Sequence, residues 1–392
     1  MDNDQLKKGR FIPIDMLKTT AVFIMILTHV LIMYATEATI LTDFTKWLLF
    51  IVEGIGAPAF VFCMGVSIVL SGKKNTGAIL KRSIKLFITG YLLNVLKFYP
   101  TIKVLQVFPE ALFTETQRQN DTEGLIGFLL VGDILQFAAI AYMICYFIMP
   151  YVRRFSYLGV LLCISIFIIA PYFYDYENTN YFLSFLYGTS FNVYFPLLPW
   201  IGYAFLGLSV GFWINNMTLK TEQHRFFLYL AIVGGLLFIA GFRSFDFNIE
   251  HYFATDYYHR TTGILAMYSG ELFLFLSAMY FIAYKLPGQM IRFFTFCSQN
   301  VTNIYIIQWV LIYWGWYFIA YGSQTWNTLV VWFVLITGLT FSLTYLKKKY
   351  SFLIQSSYER SAFRINRIVL ICKSKGIYNT SLYSGLFTGR RN

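Results

Sequence analysis

The chain has 392 residues, of which 57% are hydrophobic and only 13% charged, whereas soluble domains carry about 25% charged residues. With 41 Phe and 30 Tyr, this composition excludes an ordinary soluble domain and points to a bilayer. The net charge of +12 would suit nucleic acid, but membrane proteins collect Lys and Arg in cytoplasmic loops, so no nucleic-acid partner is expected.

Residues 1–13 are expected to form a cytoplasmic segment. They carry no cleavable signal peptide, because the apolar run that follows is long enough to be retained as a helix. Ten apolar stretches then reach the roughly 20 residues needed to cross the hydrocarbon core. They lie near 14–34, 46–71, 78–98, 125–149, 156–173, 194–215, 225–242, 263–286, 297–320 and 326–346. Basic and acidic connections alternate between them. One set contains Lys73, Lys74, Lys81, Arg82, Arg153, Arg154, Lys220, Arg225, Lys285 and Arg292. The other contains Glu37, Asp43, Glu110, Glu115, Asp121, Glu123, Asp175, Glu177, Asp246, Glu250 and Asp256. The positive-inside rule then gives an all-α integral membrane protein of about ten spans with both termini cytoplasmic, the membrane domain covering 14–347. The outer connections 99–124, 174–193 and 243–262 are long enough to suggest a lid or an acceptor surface. The basic tail, 348–392, places Arg360, Arg364 and Arg367 on one helical face. It reads either as an amphipathic helix on the inner leaflet or as a solvated end. The five cysteines, Cys63, Cys145, Cys163, Cys297 and Cys372, are odd in number and lack metal spacing, so free thiols and no metal site are expected.

Ionisable groups inside a membrane are costly and therefore point to function. His29, Glu53, Asp133 and Glu271 fall inside the first, second, fourth and eighth stretches, roughly 8–12 Å below their outer ends at 1.5 Å per residue. They are the candidate catalytic residues, expected to share one polar layer. A neutral imidazole is suited to take a proton near physiological pH. A carboxylate on its other nitrogen fixes the tautomer, with Asp133 the first candidate and Glu271 the next. Such a pair deprotonates a hydroxyl or amine for attack on an activated acyl group. It would equally relay protons in a transporter. At the inner rim, Lys18, Lys81, Arg82, Lys85, Arg153 and Arg154 are candidates to hold donor phosphates, although topology alone also demands positive charge there.

The opening RFIPIDMLKTTAVFIMILTH resembles that of multi-pass membrane acyltransferases. In these an Asp and a basic residue stand at the cytoplasmic start, and a His follows the basic residue after ten others, as in Asp15, Lys18 and His29. The bacterial surface-polysaccharide O-acyltransferases have Arg where this chain has Lys18, which lacks the planar fork. The segments GAPAFVFCMGVSIVLSG (56–72), GDILQFAAIAY (132–142), FPLLPWIGYAFLGLSVG (195–211) and NIYIIQW (303–309) look closer to the heparan-alpha-glucosaminide N-acetyltransferase branch. The resemblance implies a bundle of about ten helices in the cell (inner) membrane. It also implies cytoplasmic acyl-CoA, usually acetyl-CoA, as donor, a sugar or glycan acceptor on the far side, and His29 as the catalytic group. Arg243, His251, His259 and Gln308 are the candidate acceptor-binding residues, and a homodimer is left open. His29 would act as general base oriented by Asp133, or as an acyl carrier. The alternatives are a proton-coupled transporter or flippase of a lipid-linked or sugar substrate, and a non-catalytic subunit whose polar residues fix helix packing.

Overall fold

The computed structural model describes residues 10–72, 75–174, 180–188 and 192–374, from residue 352 onward by backbone alone. Lys73, Lys74, Asp175, Glu177 and the side chains of Arg360, Arg364, Arg367 and Cys372 lie outside the described residues. The chain divides into two units, Met1–Thr340 and Phe341–Asn392, the second helical as far as Ser374.

The first unit is helical, and its β pairing among the described residues is confined to isolated bridges. The helices are α1 (Ile12–Tyr34), α2 (Glu37–Ile40), α3 (Asp43–Glu53), α4 (Ala57–Leu70), α5 (Thr76–Tyr99) and α6 (Glu110–Glu115). Then come α7 (Thr122–Leu129), α8 (Ile134–Arg154), α9 (Leu158–Ile169), α10 (Tyr181–Tyr187), α11 (Leu197–Asn216) and α12 (Lys220–Arg243). The last are α13 (Ile249–Phe253), α14 (Thr262–Ala283), α15 (Gly288–Gln299), α16 (Val301–Gly315) and α17 (Trp326–Ser374). Seven segments among the described residues are long and apolar enough to cross a membrane: α1, α3–α4, α8, α11, α12, α14 and the part of α17 up to Ser351. The protein is therefore an all-α membrane protein, as the composition implied. The stretches near 78–98, 156–173 and 297–320 are also helical. However, α5 carries Lys81, Arg82, Lys85 and Lys97, and α15–α16 is interrupted at Asn300.

Several of the expected spans are broken helices, and two of the breaks carry candidate site residues. The second breaks at Gly54–Gly56, where Pro58 lacks an N–H for a continuous ladder, leaving Glu53 as the last residue of α3. The fourth breaks between Leu129 and Ile134, so Asp133 is not mid-helix but caps α8. The sixth begins irregularly, with Leu198 at φ −93° and ψ 120° between Pro196 and Pro199.

Packing is closest where glycine removes the Cβ. A Cβ on Gly65 would come within 2.1 Å of the Ala204 carbonyl, and one on Gly207 within 2.1 Å of the Phe62 carbonyl, so α4 and α11 touch backbone to backbone. Small-residue contact of this kind is how helices associate without a hydrophobic driving force between them. Leu228, Ile232, Leu236 and Ile239 of α12 instead face outward, as lipid-facing residues do.

Candidate functional site

The segment Leu130–Asp133 is fastened from three directions. The Asn94 amide of α5 donates to the carbonyls of Leu129 (3.1 Å) and Val131 (2.7 Å). The backbone of Gly132 pairs with residues 192 and 194, at 2.7 and 2.9 Å. A Cβ at Gly132 would meet the Phe185 ring at 2.9 Å, so any larger residue would force that ring to move. Asp133 and Gln136 close a capping box. The Asp133 Oδ1 accepts from the Ile134 N–H at 2.7 Å, and the Gln136 Oε1 accepts from the Asp133 N–H at 3.2 Å.

These restraints leave Oδ2 of Asp133 facing α5 and α16. Tyr305 donates its hydroxyl to Oδ2 at 3.1 Å, and the Lys97 ammonium stands 3.5 Å from the same oxygen. Lys97 is only 3% exposed, so it is a buried cation paired with a nearly buried carboxylate. Aromatic faces surround it. Its Nζ lies 5.0 Å from the ring centres of Phe98 and Trp309 and 5.5 Å from that of Tyr313.

His29 packs against the same α16 rings. Its imidazole stacks on Trp309 at 3.9 Å between centres, inclined by 28°, and meets the Tyr305 ring edge-on at 6.4 Å. The Gln308 amide is the hydrogen-bonding neighbour of the ring, although the contact falls short of good hydrogen-bond geometry. The His29 Nδ1 is buried and makes no well-formed hydrogen bond among the described residues. No hydrogen bond joins His29 to Asp133 among the described residues, because Tyr305, Lys97 and the α8 backbone take up the carboxylate. Tyr305, Gln308 and Trp309 stand at i, i+3 and i+4, one face of α16, which runs beside α1 with Tyr34 bonded to the Ile312 carbonyl at 2.8 Å.

Glu53 and Glu271 belong to a second cluster rather than to the His29 group. Glu53 accepts from the Arg260 guanidinium at 2.7 Å, from Tyr252, and from Tyr268 at 3.3 Å. Arg260 also donates to the Tyr252 and Thr255 carbonyls at 2.8 and 2.7 Å and to the Thr255 hydroxyl at 2.6 Å. Burial disfavours the Arg260 cation, but Tyr268, Tyr252 and Glu53 outweigh it and hold the group above its ordinary value. Burial, with Tyr268 and Glu53, raises Tyr252 well above the usual phenol value. Glu271 is buried, and its Oε2 has no hydrogen bond; it lies against Gly54, where a Cβ would come within 1.7 Å of that oxygen. This cluster fastens the connection 244–261 to the bundle. The same connection reaches toward the first cluster through Tyr258, whose ring lies 5.1 Å from those of Tyr194 and Phe195.

At the basic end, Lys18 and Arg82 line a cavity of about 200 Å³ with Ser67, Tyr142, Gln299 and Thr302. Asp15 stands near Lys18 without an ion pair to it, and accepts from Arg10 and Ser298, each at 2.5 Å. Among the described residues Lys18 makes no ion pair, and Arg82 lies over the Tyr142 ring at 4.8 Å. Lys81, Lys85, Arg153 and Arg154 are exposed and off this wall. Leu135, Ala138, Val301 and Thr302 also line the cavity. The following turn of α16 carries Tyr305, and Asp133 lies two residues before Leu135.

Of the candidate acceptor residues, only Gln308 joins His29. Arg243 and His251 are exposed. His259 is pinned between the Asp256 carboxylate (2.6 Å) and the Tyr187 carbonyl (3.1 Å). Burial raises the Asp256 carboxyl, but the His259 contact and the Tyr258 N–H outweigh that and hold it below its ordinary value. Lys97, Tyr305 and Trp309 were not singled out as site residues from the sequence. Their traces were a lone Lys inside an apolar stretch and a polar–aromatic stripe in NIYIIQW.

A family model described as heparan-alpha-glucosaminide N-acetyltransferase, catalytic, matches residues 10–239, which include His29, Lys97 and Asp133. The chain belongs to this family. It is thus a membrane acetyltransferase, and Glu271 and the α16 residues lie beyond the matched part. No curated protein and no solved structure matches the chain.

Proposed function

We propose that the protein moves an acyl group, most simply acetyl, from acyl-CoA at the basic end to a sugar hydroxyl or amine at the opposite end, within a multi-pass protein of the cell (inner) membrane. One observation carries this reading. His29 is an inward-facing imidazole whose buried Nδ1 makes no well-formed hydrogen bond, set beside the Gln308 amide and the Lys97–Asp133 pair. Buried polar atoms are almost always satisfied, and leaving one unmade costs about 1–3 kcal/mol, so such a group suits ligand atoms.

The donor fits the cavity at the basic end. Phosphates seek charge-assisted donors, and Lys18 and Arg82 are the basic side chains on that cavity wall. His29 lies about 16 Å further along α1 at 1.5 Å per residue. An extended thioester arm would follow Leu135, Ala138 and Val301 toward it. His29 takes the proton of the acceptor as that atom attacks the thioester carbonyl. The tetrahedral intermediate collapses, the C–S bond breaks, and the CoA thiolate takes the proton from the imidazolium. Asp133 acts on His29 through Tyr305 and the shared α16 face rather than by a direct bond.

The test is a reconstitution. Purified protein in liposomes receives acetyl-CoA on one side and methyl α-glucosaminide or other simple sugars on the other. Stoichiometric CoA release with acetylated sugar supports the reading. Sugar movement that depends on a proton gradient, with the thioester intact, would replace it with a transporter.

A further inference from the structure

The Lys97 ammonium has more donors than the fold uses. It carries three N–H groups. Among the described residues its one carboxylate contact is Asp133, at the long distance of 3.5 Å, and Asp133 is also served by Tyr305 and the Ile134 N–H. It also lies over the rings of Phe98, Trp309 and Tyr313, which attract a cation but accept no directed proton in the way a carbonyl does. Taking an ammonium out of water is costly, and an unbranched apolar side chain would fill the same space without that cost. The charge is therefore kept for something that the protein's own atoms do not supply.

Its location says what that is. One indole carries both groups: the Lys97 ammonium lies 5.0 Å from the Trp309 ring centre and the His29 imidazole 3.9 Å from it. A cation held close to a candidate base is an arrangement that stabilises charge developing on a carbonyl oxygen.

We propose that Lys97 is a catalytic residue of the acyl transfer, its ammonium receiving the acyl carbonyl oxygen as that oxygen becomes an oxyanion. The proposal rests on the acyltransferase reading above. As the acceptor attacks, the carbonyl π pair moves onto oxygen, and Lys97 meets that charge without giving up a proton. When the C–S bond breaks, the pair returns to re-form C=O, and the ammonium is unchanged. Asp133, held by its capping box and by Tyr305, keeps the ammonium in place between turnovers.

The rival role is that Lys97 only neutralises Asp133, and the two roles separate cleanly. Wild type, Lys97→Met, Lys97→Arg, Asp133→Asn and the double variant Lys97→Met/Asp133→Asn are reconstituted and assayed with acetyl-CoA and methyl α-glucosaminide. Lys97→Met is expected to lower kcat about 100-fold or more while KM for acetyl-CoA stays within about threefold. Lys97→Arg, which keeps the charge, should recover about tenfold of that loss. The double variant should fall about tenfold or more below Asp133→Asn, since a mere counterion is dispensable once the carboxylate is gone. This comparison also decides the matter if Lys97→Met alone does not fold, because the double variant buries no unpaired charge. Unchanged kcat in Lys97→Met, or equal rates for the double variant and Asp133→Asn, would overturn the proposal and leave the acyltransferase reading standing. A wild type that releases no CoA overturns that reading itself.

Discussion

Replacing Arg260 by Met probes the fastening of the loop that approaches the site. The guanidinium is 2% exposed, pairs with Glu53 at 2.7 Å, and satisfies the backbone carbonyls of Tyr252 and Thr255. Breaking one partner of a buried pair strands the other charge and costs about 3–5 kcal/mol. The two carbonyls lose donors as well. The expected result is a fall in Tm on the order of 5–10 °C in detergent, read by a thiol-reactive dye that reports exposure of the buried cysteines. The loop also provides its own control. Lys46 and Glu250 form an ion pair at 2.6 Å whose carboxylate side chain is 60% exposed. Such surface pairs contribute about 0–1 kcal/mol, so Lys46→Met should shift Tm by no more than about 2 °C. If both substitutions shift Tm equally, burial does not govern this cluster and the fastening argument fails.

The α4–α11 contact predicts that Gly207→Ala, whose Cβ would meet the Phe62 carbonyl at 2.1 Å, destabilises by about 1–3 kcal/mol. Gly235→Ala has nothing within 4 Å and should be neutral or stabilising by up to about 1 kcal/mol; the reverse order in thermal unfolding would contradict the packing described. Arg82→Ala and Lys18→Ala should each raise KM for acetyl-CoA on the order of tenfold with little change in kcat, whereas Lys81→Ala, off the cavity wall, should leave both unchanged. Steady-state kinetics decides between these outcomes.

The membrane class was legible because apolar length is set by bilayer thickness and survives any detail of packing. The inward placing of His29 was legible for the same reason, since an imidazole in an apolar run is costly to leave against lipid. Its depth, though, did not settle its company. Glu53 and Glu271 lie at depths similar to Asp133 along their helices, yet Arg260 draws Glu53 into a separate cluster, and a helix's azimuth is invisible to a depth argument. The break at Leu130–Asp133 was hidden because VGDIL is apolar enough to continue a span. What ends the helix is tertiary: Asn94 and the 192–194 backbone supply the hydrogen bonds. Lys97 escaped notice because a Lys near the end of a span ordinarily extends its ammonium to the interface. Here three aromatic rings and Asp133 keep it inside.

The central claim is that the His29 imidazole performs the proton transfer of acyl transfer. The most direct measurement is acetyl-CoA-dependent CoA release by reconstituted wild type, His29→Ala and His29→Asn, with Tm recorded for each. Both substitutions are expected to abolish turnover while Tm changes by only a few degrees, because His29 Nδ1 makes no well-formed hydrogen bond for the fold to lose. Turnover at the wild-type rate in His29→Asn would contradict it.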